Sequence, residues 1–165
     1  MSSADGPLSR ALYRVRQFLS SLRPRLGREE VAEAGAVLGP SLFPLFMAMS
    51  PRDRRHCLDV YRRLRQAGCQ DRELLMAALL HDVGKGQRVR LWHRVAYVLL
   101  SATAPGLLSR AGGGLAVLRD HGQLGAAMLA RAGAPPAVVD LVRRHEEAAE
   151  GEERLALLQQ ADDSC

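Results

Sequence analysis

Leu79-Leu80-His81-Asp82-Val83-Gly84-Lys85 is the stretch on which the reading of this chain turns. It closes an apolar segment in which Leu74, Leu75, Ala78 and Leu79 recur at helical spacing, with Asp71 ahead of them as a helix cap. The segment reads as a helix that begins at about residue 72 and stops near Gly84. It leaves an imidazole and a carboxylate side by side at its end. A His-Asp pair by itself arises by chance in roughly one chain in four of this composition, so its weight depends on what surrounds it.

Working outward, the upstream neighbour is another well-punctuated helix. Ser50 stands as N-cap, Pro51 at the first helical position and Asp53 in the first turn, and the pattern stops at Gly68. Before it, a short helix is expected over residues 28–38. The first helix is expected over 7–22, where Leu8, Leu12, Val15, Leu19 and Leu22 form one apolar stripe interleaved with Arg10, Arg14 and Arg16. Downstream, helices are expected over 91–103, 118–132, 135–145 and 152–163. Gly112-Gly113-Gly114 reads as a break between them. No segment alternates with period two, so the fold class is all-α: a helical bundle over 50–165 with an N-terminal helical extension over 1–49.

Composition narrows the class further. With 165 residues and 47% apolar content the chain supports one domain with a real core, and its scarcity of aromatics (4%) favours Leu- and Ala-rich helix packing. The formal charge of +5 is uneven. Residues 1–30 carry six arginines against Asp5, Glu29 and Glu30, whereas residues 145–165 carry seven acids against Arg154 alone. Lys85 is the only lysine, which singles it out among the basic residues. Cys57, Cys69 and Cys165 show no paired spacing and fit a reducing cytoplasm. The uncharged stretch from Ala34 to Met49 holds Pro40 and Pro44 and is too short for a membrane span, and the N-terminus has no signal-peptide pattern.

His56, His81, His121 and His145, with Asp82 and Asp162, all fall at helix ends or within amphipathic helices, where a bundle can aim them at one point. Imidazole and carboxylate together suit divalent ions such as Mn²⁺, Fe²⁺, Ni²⁺, Zn²⁺ or Mg²⁺. Residues 79–85 resemble the LLHDIGK signature of the HD-domain phosphohydrolases of the HDIG type. His121-Gly122-Gln123-Leu124-Gly125-Ala126-Ala127-Met128-Leu129 resembles that family's HxxxGAxxL segment. The segment from Val138 to Glu146 resembles its V…IxxHHE segment, and Ala161-Asp162 its closing AD. The resemblance spans roughly residues 50–163.

The resemblance implies a metal-dependent phosphohydrolase that cleaves a phosphate ester or anhydride, with a nucleotide as the expected substrate class. It implies one or two divalent ions: a first held by His56, His81, Asp82 and Asp162, a second by His121 and His145 with Asp82 shared. It gives Asp82 and Lys85 to catalysis, Lys85 as the phosphate-binding cation, although Lys85 can also be read as a helix cap. Two departures stand out. The cyclic-dinucleotide phosphodiesterases of the superfamily follow HHE with a DGxGYP loop, absent here, and Arg144 occupies the place of the first His of that pair. Other readings stay open: a phosphodiesterase of a signalling nucleotide, or a non-catalytic module that binds metal and nucleotide. His93 matches no motif, and Asp163 competes with Asp162. Gly84 and Gly86 read as helix-stop and loop residues. Cys57 and Cys69 read as core filler. Trp92 and Tyr97 suit either base stacking or the core. The stripe over 8–22 suits docking on the bundle, self-association or contact with an anionic surface.

Overall fold

The computed structural model describes residues 25–86 and 112–165. The helices expected over 7–22 and 91–103, with Trp92, His93 and Tyr97, lie outside the described residues. Within them the chain forms α1 (Arg28–Ala48), α2 (Pro51–Gln66), α3 (Arg72–Leu80), a single 3₁₀ turn (Val83–Lys85), α4 (Gly114–Arg131), α5 (Pro136–Arg144) and α6 (Glu153–Asp163). No strand occurs among the described residues, as the absence of period-two patterning requires.

The caps hold where the polar residues place them. Ser50 Oγ accepts from the Asp53 backbone N–H at 3.2 Å and donates to the Asp53 carboxylate at 2.6 Å, so the buried Asp53 has a partner. Asp71 Oδ1 accepts from the N–H groups of Glu73 and Leu74 at 3.0 and 3.1 Å and starts α3. Every residue of α3 from Leu74 to Leu80 is buried, the pattern of a helix surrounded by others. Around it pack α1, α2, α5 and α6, while α4 lies against the 3₁₀ turn and α5. The core therefore has a short central helix, and His81 is the residue that terminates it.

Three boundaries differ from expectation. α3 stops at Leu80 rather than near Gly84, because the chain tightens into the 3₁₀ turn. The helix after the glycine run starts at Gly114 itself, since only Gly113 needs a positive φ, +63°. α1 runs on to Ala48 instead of ending at Leu38: Gly39, at φ +69°, breaks the axis, and Pro40 opens the next helical piece where a missing N–H costs nothing. By length and composition the resulting 21-residue helix is apolar enough to cross a membrane, which the shorter uncharged stretch was not. Its Ala34, Leu38, Leu42 and Phe46 are buried in the same core as α2 to α6.

An ion-pair cluster fastens α1 to α2. Arg55 clasps Glu30 with both terminal nitrogens at 2.7 Å, and Arg62 reaches Glu30 at 2.7 Å and Glu33 at 2.6 Å. The hydrogen bond from Arg55 is the main reason the Glu30 carboxyl falls from 4.5 to about 2, against the opposing effect of burial. A depressed carboxyl stabilises the fold above its unfolded value and loses that contribution as pH falls through the folded one. Glu30→Gln is thus expected to cost roughly 1–2 kcal/mol at neutral pH, discounted for partial exposure. The difference between the two proteins should shrink between pH 4.5 and 2. Chemical denaturation across that range checks it, and a constant difference would show that Glu30 acts by packing alone.

Candidate metal centre

Six elements deliver the seven residues singled out in the sequence. His56 comes from the second turn of α2 and His81 from the end of α3. Asp82 and Lys85 come from the 3₁₀ turn, His121 from α4, His145 from the end of α5 and Asp162 from the last turn of α6. His81, Asp82, His121 and His145 are buried, where polar and charged groups are costly unless paired, hydrogen-bonded or bound to a metal.

The contacts form one connected cluster. His56 Nε2 lies 2.7 Å from Asp162 Oδ1, and His81 Nε2 lies 3.6 Å from both Asp162 Oδ1 and Asp82 Oδ1. On the other side His121 Nε2 is 3.5 Å from Asp82 Oδ1 and 3.0 Å from His145 Nε2. Lys85 Nζ pairs with Asp82 Oδ1 at 2.6 Å. His56, His81 and Asp82 offer ligand atoms all within 4.8 Å of one another, and so do Asp82, His121 and His145. Asp82 belongs to both groups.

The same local device orients three of the imidazoles. Nδ1 of His81, His121 and His145 sits 2.9, 2.7 and 2.8 Å from the carbonyl of the residue three earlier, Ala78, Leu118 and Val142 respectively. A carbonyl only accepts, so each Nδ1 carries a proton and Nε2 is the nitrogen that each ring turns to the cluster. Two of these histidines cap helix C-termini, where the carbonyl end of the helix favours a cation.

The electrostatics agree. Burial opposes ionisation of Asp82, but Lys85 and the neighbouring imidazoles hold its carboxyl well below the usual range. Burial likewise opposes Asp162, and the contact with His56 together with the nearby His81 imidazole outweighs that and holds its carboxyl low. Burial, reinforced by His81 and His121, lowers His145 to about 3, so it is neutral at physiological pH, the form that binds metal. His81 Nε2 and Asp82 Oδ2 are buried without a hydrogen-bond partner. A divalent cation among these nitrogen and oxygen donors would satisfy both, so the residues fit the group.

Other expectations sort themselves around this cluster. Asp162, rather than the exposed Asp163, faces the histidines. Arg144 points away, to Glu152 at 2.7 Å and to Asp140 and Glu147. Cys57 is fully buried, as core filler should be, and its Sγ lies 3.7 Å behind His81 Nδ1. Glu146, not singled out from the sequence, brings Oε2 to 3.7 Å from His121 Nδ1.

Gly84 proves to be more than a helix stop. A Cβ there would overlap the His121 carbonyl oxygen and come within 2.6 Å of the Gly125 nitrogen. At Gly122 a Cβ would come within 2.8 Å of the Arg143 carbonyl oxygen, and at Gly125 within 3.1 Å of Val83. The three glycines let the backbones of the 3₁₀ turn, α4 and α5 touch, and that contact sets His121 beside Asp82 and His145. Gly125 lies in the GA element of the motif, which was the available signal.

A family model described as HD domain matches residues 54–164. No curated protein and no solved structure matches the chain. Gly84→Ala is expected to cost at least ~2 kcal/mol, because α4 must shift bodily. Gly112→Ala, where nothing lies within 4 Å, should cost little. Thermal denaturation of both variants checks this; equal midpoints would show that the close approach is not needed.

Proposed function

Because the chain belongs to the HD domain family, we propose that it is a metal-dependent phosphohydrolase acting on a phosphate ester or anhydride, with a nucleotide as the substrate class. The observation that carries this reading is the sharing of Asp82 between two groups of potential ligands. One carboxylate between two sets of imidazoles is the arrangement that holds two divalent ions close together. His56, His81, Asp82 and Asp162 are assigned to one ion; His121 and His145, with Asp82, to the other. Ions bound there supply charge neutralisation for phosphate oxygens and acidify water so that hydroxide is available near neutral pH.

The chain's own residues prepare for that chemistry. Nδ1 anchoring to backbone carbonyls fixes each ring and turns its Nε2 toward the cluster. The depressed carboxyls of Asp82 and Asp162 keep negative charge in the buried cluster. Lys85, the only lysine, stands against the shared carboxylate and is placed to pair with a phosphate oxygen.

Two sets of variants test the assignment. Asp82→Asn is expected to remove most bound metal and nearly all turnover. His121→Ala and His145→Ala should each remove about one equivalent and lower turnover roughly 100-fold or more, with the double variant scarcely worse than either. Cys69→Ser serves as the control and should change neither. The measurements are elemental analysis and turnover of a nucleotide panel with Mn²⁺, Fe²⁺, Mg²⁺ or Ni²⁺. Metal-loaded protein without turnover on any substrate would favour the non-catalytic module, and protein that takes up no metal would overturn both.

A further inference from the structure

We infer that Gln159 is a positioning residue that couples the two halves of the metal centre; the inference rests on the two-ion reading above. Gln159 lies on α6 three residues before Asp162, so the two share one face of that helix. Its Nε2 donates to the backbone carbonyl of His145 at 2.9 Å and to that of Glu147. Only a nitrogen can serve two carbonyls at once, which fixes the orientation of the amide.

The His145 carbonyl stands at the C-cap of α5, where the last C=O groups have no partner within the helix, and the Glu147 carbonyl lies two residues beyond it. Gln159 therefore caps α5 from another helix. The same end is closed locally by the Glu147 N–H, which donates to the Arg144 carbonyl at 2.8 Å, whereas α5 packs chiefly on α4 and α3 and only slightly on α6. His145 in turn is tied to its own last turn through Nδ1 and the Val142 carbonyl. The position of its Nε2 thus follows the position of that turn. Through Asp162 and Gln159, α6 reaches both sets of ligands: it contributes one to the His56–His81 side and holds the backbone that carries one on the His121–His145 side.

The consequence is selective. Without the Gln159 amide the turn at His145 is free to shift, and the carbonyls, on a part-buried to exposed segment, turn to water at small cost. Overall stability should hardly change, while the second ion loses a preset ligand. The first ion's ligands do not depend on this bond.

Metal-free protein titrated with Mn²⁺, followed by calorimetry and electron paramagnetic resonance, tests the inference. Wild type should bind two equivalents and show an exchange-coupled signal. Gln159→Leu and the isosteric Gln159→Glu should keep the first equivalent unchanged, weaken the second by ~10-fold or more, and diminish the coupled signal at two equivalents. The thermal midpoint of the metal-free variants should match wild type. If both variants bind two ions as tightly as wild type, Gln159 does not position the site. If both ions are lost together with a lowered metal-free midpoint, its role is general folding, and the inference is overturned. The isosteric variant keeps the test open should the leucine fail to fold. Wild type that binds a single equivalent would instead defeat the two-ion reading, and this inference with it.

Discussion

A buried carboxylate governs this structure. Asp82 is almost wholly withdrawn from solvent, and an isolated charge in such a place is costly by several kcal/mol. The fold answers with Lys85 in direct contact and with His81 and His121 beside it. Their combined field more than offsets burial and keeps the group ionised. Yet one of its oxygens and one neighbouring imidazole nitrogen still lack hydrogen bonds. Buried donor atoms that the protein itself does not satisfy, beside an ionised carboxylate, are what a site shaped for a cation would show.

Helix placement serves that concentration. α3 is buried along its length, so its end is held firmly, and its end is His81 followed by Asp82. α5 ends at His145 in the same manner, so two negative helix poles converge on the cluster. α4 comes from the side, and its approach is limited only by backbone contact, because Gly84, Gly122 and Gly125 carry no side chain to keep it away. The ion pairs of Glu30 and Glu33 with Arg55 and Arg62 hold α1 on α2, the helix that presents His56.

Much of this was legible in the chain. Ser50-Pro51 and Asp71 announced helix starts because a cap is a local matter, settled by a side-chain oxygen and an N–H two or three residues away. The order of His56, His81-Asp82, His121, His145 and Asp162 pointed to one site through resemblance, and the structure brings all of them together. Where the reading fell short, distant parts of the chain decided. The helix expected to end at Leu38 instead continues past a kink, with Pro40 opening a second piece whose Phe46 is buried in the common core. Gly84 looked like punctuation, and what it meets is the backbone of α4, more than thirty residues away.

The sequence by itself determined the all-α class and, among the described residues, most helix boundaries, because periodicity and caps act over a few residues; residue type and family resemblance pointed to the chemical kind of the site. Tertiary structure alone decided which atoms face one another. It put Asp82 between two sets of imidazoles, left His81 Nε2 and Asp82 Oδ2 unpaired, and laid the amide of Gln159 on the turn that carries His145. Those facts depend on how closely helix backbones approach and at what rotation. Such distances are set by the packing of all the helices together, and no single stretch of chain contains them.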